Sequence, residues 1–177
     1  MLTAKTHTVW PFGQDAKFYI ISWRSRSVCR WRQLRRLYDP VDLGHTHQFK
    51  SAVAQRVVSN FVSMWGSSDL NWIFQQVLGN KPPWEDLERI WKHSPMAYIG
   101  NANTPTLIVH SEHDHRCPIE QGEQAFVALK TLGVDTEMVR FPGEPHGLSR
   151  LGRTDRRIVR LNHILRWMDK YLKKDVM

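Results

Sequence analysis

One stretch limits the fold more than any other. Residues 104–114, TPTLIVHSEHD, follow Pro105 with Leu107, Ile108 and Val109, with no polar residue between them. A strand apolar on both faces belongs inside a parallel sheet, with helices covering each side. The next residues agree with that. Pro118 and Gly133 frame IEQGEQAFVALKTL, in which Ala125, Phe126, Leu129 and Leu132 recur at helical spacing. TEMVRF (136–141) then reads as another strand. Strand, helix and strand in this order make a βαβ unit, and so an α/β fold with a mostly parallel sheet.

The remaining pattern extends this unit in both directions. FKSAVAQRVV (49–58) carries Val53, Val57 and Val58 and reads as a buried strand. DLNWIFQQVL (69–78) suits a helix capped by Asp69 and stopped by Gly79, and WEDLERIWKH (84–93) suits a second. Residues 155–174 read as an amphipathic helix with the stripe Ile158, Leu161, Ile164, Leu165, Met168 and Leu172. Trp65, Trp72, Trp84 and Trp91 are expected on helix faces or in the core, with one or two at a substrate pocket as the sharper alternative.

Charge is spread unevenly. The 177 residues hold 25 Lys and Arg against 17 Asp and Glu, a formal net charge of +8. Residues 1–43 hold eight basic and three acidic residues, so the excess is concentrated in the first quarter. Arg24, Arg26, Arg30, Arg32, Arg35 and Arg36 interleave with tryptophans there, but in no recognisable nucleic-acid-binding pattern, and no nucleic-acid partner is expected. No run of about 18 apolar residues is present, so no membrane span is expected. The N-terminal residues are too polar for a secretory signal. Two cysteines, Cys29 and Cys117, make no disulfide framework, which sets a reducing, cytoplasmic compartment as the default expectation.

Two polar clusters follow strand ends, SEHDHRC after 105–110 and GEPHG after 136–141. In open α/β sheets, ligands bind at the carboxyl ends of strands. Asp114 and His146 are therefore placed to meet. A carboxylate that orients an imidazole, which then takes a proton from a nucleophile, is the chemistry of a hydrolase. In the α/β-hydrolase arrangement the chain order is Ser, Asp, His, and Asp114 precedes His146 in that order. Catalytic roles are assigned to Asp114 and His146, and no substrate-binding residue is named. His110, His113, His115 and Cys117 lack a standard zinc spacing, so neither a metal nor a cofactor is expected. Arg116 stands beside Asp114 with two readings open, a substrate contact or a pair with an acid such as Glu120. Glu123 and Gln124 are read as solvated.

The segments HSEHDHRCPIEQGEQ, RFPGEPHGLSR and FKSAVAQRVVSN, in this order and spacing, resemble the C-terminal catalytic domain of the prolyl oligopeptidase (S9) serine peptidases. Their acylaminoacyl-peptidase branch is the nearest in character. The resemblance covers about residues 44–177. It implies a partial α/β-hydrolase fold, the C-terminal half of a mostly parallel sheet flanked by helices. It also implies serine peptidase chemistry on short or N-acylated peptides, with Asp114 and His146 at the triad positions. A homo-oligomer is left open as a partner arrangement.

One element of that chemistry is missing from the sequence. The nucleophile of such an enzyme sits on a G-x-S-x-G elbow, and no serine of the chain has both glycines. Where the elbow belongs, residues 24–43 read RSRSVCRWRQLRRLYDPVDL. If the arginines use CGN codons, residues 30–41 back-translated and shifted by one base permit the reading GGGSYGGFMTQW, which contains the elbow. Residues 1–43 are thus expected to be an atypical segment, out-of-frame or disordered, and 44–177 the C-terminal part of the peptidase domain. The chain is expected to be weak or inactive alone, with one sheet edge exposed. The alternative is a non-catalytic interaction fragment that docks on an intact family subunit. Coding DNA is expected to carry the glycine–serine string one base out of register with residues 30–41, and codons that forbid it would refute the frame reading.

Overall fold

The computed structural model describes residues 49–72, 76 and 79–172, together with 23, 24, 27, 28 and 44. Trp23–Arg24 (β1) and Ser27–Val28 (β2) form a short antiparallel ribbon. The main sheet contains Ala52–Gln55 (β3), Thr106–His113 (β4) and Thr136–Pro145 (β5). Its order is β3-β4-β5 and both pairings are parallel. The helices are Phe61–Ser67 (α1), Leu87–His93 (α2), Ile119–Thr131 (α3), Leu148–Leu151 (α4) and Thr154–Leu172 (α5), with short 3-10 turns at Pro95–Ala97 and Ile99–Asn101.

The strands alternate in the way that a sheet covered on both faces requires. Ala52, Ala54 and Ile108 point to one side, where Ala125 and Leu129 of α3 meet them. Val53, Leu107, Val109 and Phe141 point to the other, where Leu148, Ile164, Trp167 and Met168 pack. A smaller cluster of Val58, Phe61, Met64, Ile90 and Cys117 ties α1 and α2 to the turn after β4. Fully burying a side chain of this class contributes about 1.5–3 kcal/mol.

Several boundaries differ from the sequence expectation for physical reasons. α1 was not anticipated. Its signal is Asn60, whose Oδ1 accepts from Val62 N at 3.0 Å and Ser63 N at 3.4 Å, an N-cap that starts the helix. The helix expected over 69–78 falls in part on residues outside the description, and Asp69–Leu70 form a turn. The Pro/Gly loop expected at 142–147 is instead the end of β5, which runs to Pro145 through a register shift opposite Ser111–His113, with Gly143 at φ 72°. On α5 the expected stripe splits. Ile164 and Met168 are buried around Trp167, whereas Ile158, Leu161 and Leu165 stay 55%, 49% and 62% exposed. β3 pairs only with β4 among the described residues, and all four of its residues are buried.

Gln121 fastens α3 to the chain leaving β3. Its Oε1 accepts from Ser59 N at 2.9 Å and Asn60 N at 2.8 Å, and its Nε2 donates to Asn60 O at 3.1 Å. Ser59 Oγ donates back to the Gln121 carbonyl at 2.7 Å. The side chain is wholly buried. Buried polar groups stripped of a partner cost about 1–3 kcal/mol. Gln121→Leu is therefore expected to lower the unfolding free energy by about 1–3 kcal/mol, measured by urea denaturation.

Candidate active site

The sheet brings two polar residues together at its carboxyl edge. Asp114 is the first residue after β4, and His146 is the first after β5. The register shift lets β5 end at Pro145 opposite His113, so the two residues emerge side by side. Thirty-two positions apart in sequence, they are in direct contact: His146 Nδ1 lies 2.9 Å from both Asp114 oxygens.

Asp114 is almost fully buried. A carboxylate removed from water needs donors, and its own turn supplies two. Arg116 N and Cys117 N donate to Oδ1 at 3.1 Å and 2.8 Å. The imidazole is the third. With Nδ1 donating to the carboxylate, the lone pair of the ring lies on Nε2. That atom is buried and has no hydrogen-bond partner among the described residues. An oriented imidazole with a free Nε2 can accept a proton from a hydroxyl placed against it.

A second imidazole stands behind the pair. His110, four residues before Asp114 on β4, is buried, and its Nε2 donates to the Cys117 carbonyl at 2.7 Å. Its Nδ1 is buried without a partner among the described residues. Gly122 makes room for this ring, because a Cβ there would stand 2.6 Å from Nδ1. Burial is the largest influence and pushes the His110 pKa down, outweighing the nearby Asp114 charge, whose Oδ2 is 3.9 Å from Nε2. His110 is therefore held neutral, structural in role and set apart from the Asp114–His146 bond.

The other residues singled out from sequence divide. His113 and His115 are exposed and stacked on each other, away from buried His110, so these three histidines do not converge. Asp114, Cys117 and His146 each place a donor atom within 4.8 Å of the others. Two of them already serve each other, and burial pushes the Cys117 thiol well above its ordinary pKa, which disfavours the thiolate that a metal would need. Arg116 pairs with Asp69 at 3.2 Å and not with Glu120. Gln124, read as solvated, accepts from Asn60 Nδ2 at 2.9 Å, and Glu123 pairs with Arg140 at 2.7 Å. Trp72, Trp84 and Trp91 are exposed, with Trp84 edge-on to Trp65 at 5.0 Å. Sequence reading missed roles for Gln121 and for Arg56, a buried cation immediately after β3. The signal for the second was an arginine directly following an apolar strand.

The profile of the Prolyl oligopeptidase family matches residues 41–175. The chain belongs to the prolyl oligopeptidase family. An uncharacterized peptidase of Bacillus subtilis, YuxL, is 48% identical over 130 residues, which is 73% of this chain and 20% of that protein. The acylamino-acid-releasing enzyme of Arabidopsis thaliana is 35% identical over 133 residues, 71% of this chain and 17% of that one. Among solved structures, the Pyrococcus horikoshii acylaminoacyl peptidase superposes with a TM-score of 0.71 at 28% identity, covering 76% of this chain and 22% of the other. The chain thus spans about a fifth of the length of these relatives, and its fold is the α/β arrangement of acylaminoacyl peptidases, a parallel sheet flanked by helices.

The depressed pKa of His110 sets a pH dependence. Unfolded, the imidazole titrates at its ordinary value of 6.5; folded, it stays neutral to lower pH. The unfolded state therefore binds the extra proton, and stability is lost as pH falls below about 6.5. Urea midpoints are expected to fall between pH 6.5 and 5, and His110→Gln is expected to flatten that fall.

Proposed function

We propose that this chain carries the Asp–His portion of a serine peptidase site, with Asp114 orienting His146 and His146 acting as general base and then general acid. The observation that carries this reading is the Nδ1 contact to both carboxylate oxygens at 2.9 Å, together with a buried Nε2 that has no partner among the described residues. In the first half-reaction a serine hydroxyl would lose its proton to Nε2 while attacking the substrate carbonyl, and the imidazolium would return that proton to the leaving amine. Short peptides, including N-acylated ones, are the substrates this reading gives. Its support is the likeness to acylamino-acid-releasing enzymes and to an acylaminoacyl peptidase solved with Z-Gly-Gly-Phe-chloromethyl ketone.

The nucleophile is the missing partner. No G-x-S-x-G is encoded in this frame, and loss of a triad member leaves only residual catalysis, typically about 10³–10⁴-fold over water. The chain as given is therefore weak or inactive alone. Residues 1–43, nearly all outside the described residues, are read as an atypical segment, out-of-frame or disordered, and the support for a cytoplasmic setting is the two cysteines without a disulfide framework. A second reading, a non-catalytic piece docking on an intact family subunit, is favoured by the exposed Ile158, Leu161 and Leu165 of α5.

Labelling with a fluorophosphonate serine probe tests the first reading, with an intact family member as control. The expected result is no label on the folded chain. A label abolished by His146→Ala would show that a serine of this chain does serve, and the labelled peptide would identify it. Co-migration of the chain with the intact member in the same samples would favour the docking reading.

A further inference from the structure

We infer that Arg56 is a positioning residue for His146, acting through Ser149. The inference rests on the Asp114–His146 reading above and extends it to a residue with no assigned role.

Arg56 is the first residue beyond β3. Its backbone is in the left-handed region at φ 55°, which only a few per cent of non-glycine residues occupy. Such a conformation persists where the surroundings over-determine it, and these positions cluster at functional sites. Its N–H donates to the Val109 carbonyl at 3.3 Å, which fixes the start of the side chain against β4. The side chain is buried, with the residue 6% exposed, although a guanidinium is among the costliest groups to bury. Nη2 donates to Ser149 Oγ at 2.5 Å, a contact that spans 93 residues of sequence.

Ser149 lies three residues after His146, in the four-residue helix α4. So short a helix cannot hold its own orientation. Its apolar anchor is Leu148, buried against Phe141, Trp167 and Met168. Apolar burial is non-directional: it fixes the depth of the turn but not its rotation. A charged donor on a hydroxyl is directional and stronger than a neutral pair. The Arg56–Ser149 bond therefore sets the rotation of the turn that presents His146, and with it the line from Nδ1 to Asp114. Arg56 also lies within electrostatic reach of this corner, since its charge is among those that pull the Cys117 thiol down against the larger effect of burial.

The test uses the full chain uniformly labelled with ¹⁵N and follows the downfield Nδ1–H resonance that is lost in both His146→Ala and Asp114→Asn. Ser149→Ala removes the acceptor with minimal change of volume. The expected result is loss or broadening of this resonance in Ser149→Ala and Arg56→Met, with partial retention in Arg56→Lys, while the amide signals of β4 and β5 stay in place. An unchanged resonance in folded Ser149→Ala would overturn the role of Arg56 whether or not the Arg56 variants fold. Absence of an Asp114-dependent resonance in the unmodified chain would instead overturn the Asp114–His146 reading, and the Arg56 role with it.

Discussion

The architecture turns on one electrostatic constraint, a carboxylate with almost no access to water. Asp114 sits in the interior at the end of the central strand. Burying an ionised group without partners costs far more than a domain of this size could bear. Two backbone donors in the turn 114–117 and the imidazole of His146 offset that cost. Each donor carries a requirement of its own. The turn must close tightly enough to aim the Arg116 and Cys117 amides, which in turn places Cys117 in the core cluster with Phe61, Met64 and Ile90. The imidazole must arrive from the neighbouring strand, which requires β5 to overrun β4 by a shifted register.

Much of this was legible in the residues, and the parts that were not share a cause. The βαβ unit stood out because Leu107–Val109 and the spacing of α3 are local signals. Asp114 and His146 could be paired because strand order puts their loops on one edge and because the residues around them resemble the triad positions of the family. Gln121 and Arg56 were silent because their value depends on partners far away in sequence, Ser59 and Asn60 in one case and Ser149 in the other. The stripe on α5 misled for a related reason. Helical spacing identifies apolar positions, but only tertiary packing decides which of two apolar flanks is covered, and here Trp167 defines the covered one.

The exposed flank of α5 bears on how this segment relates to its longer relatives. Arg166 pairs with Glu137 and Lys170 with Asp135, so one side of the helix is committed to the start of β5 and the residue before it. Leu161 and Leu165 lie away from that side, on a flank with water as its neighbour. The chain matches the family over residues 41–175 and spans about a fifth of the length of these relatives. Its basic first quarter shares neither the hydrophobic periodicity nor the charge balance of the remainder.

One consequence of consecutive parallel strands concerns the order of assembly. Asp114 and His146 belong to a single βαβ unit, so their contact closes one loop of 32 residues. The entropy of closing a loop grows only with the logarithm of its length, and α3 shortens the effective span further. The two residues can therefore meet as soon as β4, α3 and β5 have docked, and their final alignment waits for the contact from Arg56 to Ser149 across 93 residues. The approach of the two residues is thus a short-range event, and the long-range part of building this corner lies with β3, the strand that Arg56 follows.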